Sequence, residues 1–169
     1  AAKAMAEAAP IRRSKDARPA DSIPVPTLEA PREPEQSTQA AFGKILFELA
    51  KSGHPLAARI VTTSPDVTVS TNLGGWVNLR GLFRRQDLAD VFQKAKIPSA
   101  QKWSGAPAGQ HIELGIAENN LFVMLAALGL AGDLFGEQLM PVGTVYDPFI
   151  ARGLDAPNYA CYQDARFML

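Results

Sequence analysis

The chain has 169 residues, and its 17 basic and 17 acidic side chains give a formal net charge of zero. That balance excludes attraction to a nucleic acid or a membrane surface by bulk charge, and the length suffices for one domain with a real core. The longest apolar run, residues 121–132, is about 12 long, whereas a membrane-spanning helix needs about 20.

Residues 1–36 differ from the rest. Prolines recur at Pro10, Pro19, Pro24, Pro26, Pro31 and Pro34, with charges between them and few large apolar side chains. Proline fixes φ and removes a backbone donor, so this stretch is expected to be an extended linker lying over a surface and leading from an earlier domain. It has no apolar h-region, so no secretory signal is expected. Cys161 is the only cysteine, which rules out an internal disulfide and fits a cytoplasmic protein.

The compact domain is expected from residue 37 onward. Ser37 or Thr38 can cap a helix in which Phe42, Ile45, Leu46 and Leu49 recur at helical spacing, and Gly53 and Pro55 stop it. Residues 59–63 read as a buried strand. Residues 64–78, rich in Ser, Thr, Asn and Gly, read as a loop in which Asn72, Gly74 and Gly75 suggest flexibility. Residues 85–95 predict a short amphipathic helix, and 97–110, with two prolines and two glycines, an irregular connection.

Residues 112–114 predict a short strand and 117–130 a mostly apolar helix. Residues 139–145 predict another strand. Asp147 is placed to cap a helix that begins at Pro148 and runs toward Tyr162. Residues 166–169 read as the opening of a further strand, so the natural protein is expected to continue. Strands alternating with helices argue for an α/β fold, a parallel sheet with helices on both faces.

The most informative stretch runs Gly109-Gln110-His111-Ile112-Glu113-Leu114-Gly115-Ile116-Ala117-Glu118-Asn119-Asn120. A strand ending in Gly-hydrophobic-X-Glu, with the Glu opening an apolar helix, resembles the pyrimidine-binding domain of the thiamine-diphosphate-dependent transketolase and homodimeric pyruvate dehydrogenase family. The segment 141–149, Pro-Val-Gly-Thr-Val-Tyr-Asp-Pro-Phe, is similar to the part that lays an aromatic ring against that cofactor. Ser37-Thr38-Gln39-Ala40-Ala41-Phe42 and Thr63-Ser64-Pro65-Asp66 resemble the start of the same domain. The resemblance covers roughly residues 37–169, a C-terminally incomplete transketolase-like pyrimidine-binding fold.

The resemblance implies roles for particular residues. Glu118 would meet the N1 nitrogen of the aminopyrimidine and stabilise its imino tautomer, which then deprotonates the thiazolium carbon. An apolar surround, supplied by Ile116, Leu121 and Phe122, would help that carboxyl exchange a proton. Tyr146 would stack on the pyrimidine, with Phe149 the neighbouring candidate. Asp66 would line the cofactor site, or else cap a turn. His111 would serve as a substrate-side proton donor, since imidazole titrates near neutrality, or else, as a lone His beside a strand, be structural. Glu113, by strand alternation, would face away from Glu118 in a structural role.

Other features have plainer readings. Arg80, Arg84 and Arg85 are expected to be solvated or paired, and Trp76 and Trp103 to be packing or interface residues. His54 and His111 lie far apart without cysteine partners, so no metal site is expected in the chain. In the family, the diphosphate and its Mg²⁺ bind a Gly-Asp-Gly-bearing domain of the homodimer partner. No Gly-Asp-Gly occurs here, so the chain alone is expected to be inactive. The implied reaction is decarboxylation of pyruvate, with acetyl passed to a lipoyl-bearing acyltransferase component. The alternatives are a transketolase moving two-carbon ketol units between sugar phosphates and a non-catalytic interaction domain on a degenerate copy of the fold. The contexts of Ser37-Thr38-Gln39 and Gln110-His111-Ile112 favour pyruvate dehydrogenase.

Overall fold

The computed structural model describes residues 23–29, 31–33, 35–86, 94–98 and 101–169. Most of the helix expected at 85–95, and of the linker expected at 1–36, lies outside the described residues. The described part of that linker, from residue 23 on, forms no helix or strand, as its prolines dictate. It runs beside the first helix, where Glu33 pairs with Lys44 and Gln36 Nε2 donates to the Pro31 carbonyl at 2.8 Å.

Helix α1 spans Thr38–Lys51. Ser37 caps it as expected: its hydroxyl accepts from the Ala40 N–H at 3.1 Å. Gly53, at φ +67°, turns the chain away beyond its end. A 3₁₀ turn, Pro55–Ala58, leads into β1, Ile60–Ser64. Helix α2 follows at Gly74–Arg80, then the two-residue strands β2 (Leu82–Phe83) and β3 (Gly105–Ala106), and β4 (His111–Glu113). Helix α3 spans Glu118–Gly129, α4 Ala131–Phe135, and β5 Met140–Gly143. A 3₁₀ stretch, Asp147–Gly153, precedes α5, Asp155–Tyr162.

Two expectations change here. The presumed loop 64–78 contains the start of α2. Gly74 and Gly75 are poor helix formers, but Trp76 and Val77 are fully buried against α1, and that burial outweighs propensity. The second glycine also serves the packing, since a Cβ at Gly75 would lie only 3.1 Å from Phe47. Asp147, in turn, is not a cap. It is the first residue of the 3₁₀ stretch, its side chain caps nothing, and the α-helix begins only at Asp155.

The five strands form one sheet, all parallel, in the order β3-β2-β4-β1-β5. β1 is therefore an interior strand, flanked by β4 (Thr62 beside His111) and β5 (Thr62 beside Val142). Beyond β5, Met168 makes a parallel bridge to Val142, so the strand expected to open near residue 166 does begin there.

Successive side chains on a strand point to opposite faces. Ile60 and Val142 join Leu46, Leu49, Leu73, Trp76 and Val77 in the core under α1 and α2. Gly143, the next residue after Val142, faces the other way, and a Cβ there would run into Leu125 and Leu121 of α3. Helices thus cover both faces, the α/β layering that alternating elements predict. Among the described residues, no helix is long and apolar enough to cross a membrane.

Candidate functional site

Parallel strands deliver all their carboxyl ends to one edge of a sheet. Here β4, β1 and β5 lie side by side, and the loops leaving them diverge around a cleft of about 280 Å³. Pro65, Asp66 and Val67 follow β1. Ile116 and Glu118 follow β4, and Val145, Tyr146, Phe149 and Arg152 follow β5. Asp66, Glu118, Tyr146 and Phe149, singled out from the sequence, thus share one wall system although they span 84 positions from 66 to 149.

Glu118 reaches the cleft through a sharp corner. Gly115 takes φ +68°, a region that L side chains rarely adopt, and turns the chain from β4 toward α3. Glu118 is the first residue of α3, where the unpaired N–H groups of the opening turn favour a negative charge. Its side chain is only 8 % exposed, and Oε1 accepts a 2.7 Å hydrogen bond from Nη1 of Arg152. The surround is therefore not the apolar one expected. Ile116 and Val145 are present, but a guanidinium is the nearest partner.

Arg152 was not singled out from the sequence. The ion pair joins residues 34 apart, and no local pattern announces it. One weak signal existed: Phe149 and Arg152 are three residues apart, a spacing that stacks side chains on a helical turn. The guanidinium carbon does lie 3.9 Å from the centroid of the Phe149 ring. Tyr146, the ring favoured for stacking, is 6.1 Å from Phe149 with the planes at 51°. Its hydroxyl donates to Ser70 Oγ at 2.6 Å, fastening the loop after β5 to the loop after β1.

His111 does not face the cleft. It is fully buried beneath it, in the strand itself, with Nδ1 2.8 Å from Thr62 Oγ1 and Nε2 2.9 Å from Thr68 Oγ1. Both ring nitrogens are engaged, so the role of substrate-side proton donor expected for it does not fit this position. Thr68 spends its single proton on Glu113 Oε2, at 2.6 Å. Its oxygen must then accept from Nε2–H, and in the neutral ring Nδ1 accepts from Thr62.

Glu113 closes this network. Oε1 accepts the Asp66 N–H at 2.8 Å, and Oε2 lies 3.6 Å from His111 Nε2. Burial alone would push its carboxyl up. The adjacent His111 ring and the hydrogen bonds from Thr68 and the Asp66 backbone outweigh burial and hold the carboxyl at about 2. The hydrogen bond to Asp66 has a local consequence. Asp66 adopts φ +66°, unusual for a residue with a side chain, and Glu113 holds its N–H there. Partly buried Glu113 therefore shapes the β1 side of the cleft, and Asp66 itself is exposed at the rim.

Arg80 is paired, as expected of the basic cluster. It donates to the Ala50 carbonyl at 2.8 Å and lies over the Trp76 ring. Trp76 is a core residue, and Trp103 packs against the same core.

A carboxylate beside an aromatic face, between Val67, Ile116 and Val145, suits a flat ring that carries an N–H on its edge. The volume admits one such ring; pockets for whole drug-sized ligands run to roughly 300–1,000 Å³. No protein-family model matches the chain, and no curated protein matches it.

Proposed function

We propose that this chain supplies the pyrimidine half of a thiamine-diphosphate site in a pyruvate dehydrogenase decarboxylating component. One observation carries the reading: a nearly buried carboxylate, Glu118, lies beside two aromatic rings in a ring-sized cleft at the carboxyl edge of a parallel sheet. Thiamine diphosphate, when bound, supplies the carbon nucleophile and electron sink that removal of carbon dioxide from a 2-oxo acid requires.

The chain's own residues do the rest. Glu118 would hold a proton at its carboxyl oxygen, facing the N1 edge of a bound pyrimidine. Phe149 or Tyr146 covers one face of the ring, and Val67, Ile116 and Val145 exclude water from its edge. Asp66 stands at the rim, fixed through Glu113. The diphosphate and Mg²⁺ belong, in this reading, to a domain of the homodimer partner, and the acetyl group goes to a lipoyl-bearing acyltransferase component.

The test is thiamine-diphosphate-dependent turnover by the chain within its natural assembly, with pyruvate and with a ketose phosphate offered separately. Pyruvate turnover supports the reading. Turnover of the ketose phosphate alone replaces it with a transketolase. No turnover of either leaves a non-catalytic domain.

A further inference from the structure

The cleft already contains a planar cation, and it comes from the chain itself. Arg152 gives Glu118 an N–H donor at 2.7 Å and lays its guanidinium 3.9 Å over the Phe149 ring. These are the two contacts that a flat heterocycle with an N–H edge would make at the same place. Glu118 Oε1 and the Phe149 face cannot serve both occupants fully. We propose that Arg152 is a specificity-determining residue: a tethered occupant that only a ligand reproducing both of its contacts displaces. The inference rests on the reading of the cleft as a ring-binding site, not on which ring it takes.

The two ends of the ion pair differ in what they lose on separation. The Arg152 side chain is 51 % exposed, so a guanidinium that swings out is readily solvated. The Glu118 side chain is 8 % exposed, so a carboxylate left without a donor stays largely desolvated. A ligand with a ring but no N–H therefore strands Glu118. A ligand with an N–H but no ring forfeits the stacking on Phe149. Only a group with both features makes the exchange favourable. The arginine thus rejects apolar rings and simple amines alike, and no clash is needed to do so.

The experiment uses this chain and three small probes, titrated by NMR. Benzamidine has a ring and a planar cationic N–H edge, acetophenone has a ring and no N–H, and 4-amino-2-methylpyrimidine is the proposed cofactor's own ring. Arg152→Ala should bind benzamidine about tenfold more tightly than the parent chain, the scale set by removing a competitor held by one charge-assisted hydrogen bond and one cation–π contact. Arg152→Lys, which keeps the charge without the planar stack, should fall between them. Acetophenone should bind the parent no better than benzamidine does. Equal or weaker benzamidine binding by Arg152→Ala, or none, overturns the proposal, provided thermal melts show both variants folded. If benzamidine behaves as stated while the aminopyrimidine fails to bind any form, Arg152 keeps its role and the thiamine reading is lost. If the aminopyrimidine binds every form equally, the cleft takes a pyrimidine and the role of Arg152 is lost.

Discussion

Glu113 and Glu118 sit five positions apart at one strand-to-helix corner, yet they meet opposite fates. Glu113 is held by groups that the fold supplies permanently: the Thr68 hydroxyl and the Asp66 N–H donate to it, and His111 lies alongside. Glu118 is even better hidden, but its partner is the end of a half-exposed arginine. A carboxylate closed by fixed donors is structural, because no ligand can offer it anything better. A carboxylate whose partner can leave remains available. Burial alone does not mark a working acid; the mobility of its partner does.

Four experiments break or sharpen that contrast. The largest effect should come from Glu118→Ala, which should lower thiamine-diphosphate-dependent turnover at least about 100-fold, the lower end of what a positioned proton-transfer group contributes. Circular dichroism should show the fold intact, and unchanged turnover would remove Glu118 from the mechanism. Glu113→Ala should act on stability instead. It leaves the buried Thr68 hydroxyl and the Asp66 N–H without their shared acceptor and should cost about 2–3 kcal/mol in urea denaturation.

Acid titration separates the pair further. The Glu113 carboxyl is held at about 2 in the folded chain against an ordinary value of 4.5. A depressed folded value means that the unfolded chain takes up the proton first. The stabilisation is complete above 4.5 and drains away as the pH falls toward 2. Thermal melts of Glu113→Gln should show a flatter acid limb than the parent across that window. An identical limb would mean that the network does not hold the carboxyl ionised. The smallest effect should be that of Arg152→Ala on stability, about 1 kcal/mol by denaturation, because water entering where the half-exposed guanidinium stood can take over its hydrogen bond to Glu118. A larger loss would make Arg152 a structural brace.

The sequence revealed those parts of the fold that have periods. Phe42, Ile45, Leu46 and Leu49 mark α1 at helical spacing, and the apolar run from Leu121 marks α3. β2 and β3 have two residues each, too few for any alternation to appear. Helix α2 was hidden by Gly74 and Gly75, because what holds it is the burial of Trp76 against a distant helix. The site divided along the same line. Asp66, Glu118, Tyr146 and Phe149 follow strand ends, which topology gathers together, and all four line the cleft. Arg152 owes its place to a contact across 34 residues, and His111 owes its burial to threonines on other segments. Neither relation leaves a local trace.

The bridge between Val142 and Met168 bears on how the molecule meets its own copies. The Gly143 N–H donates to the Met168 carbonyl at 2.8 Å, and the Met168 N–H donates to that of Pro141 at 2.9 Å. Those bonds blunt what would otherwise be a bare lateral margin of β5. Stripping residues 166–169 would leave these groups ready to template a foreign strand, the usual beginning of edge-to-edge aggregation.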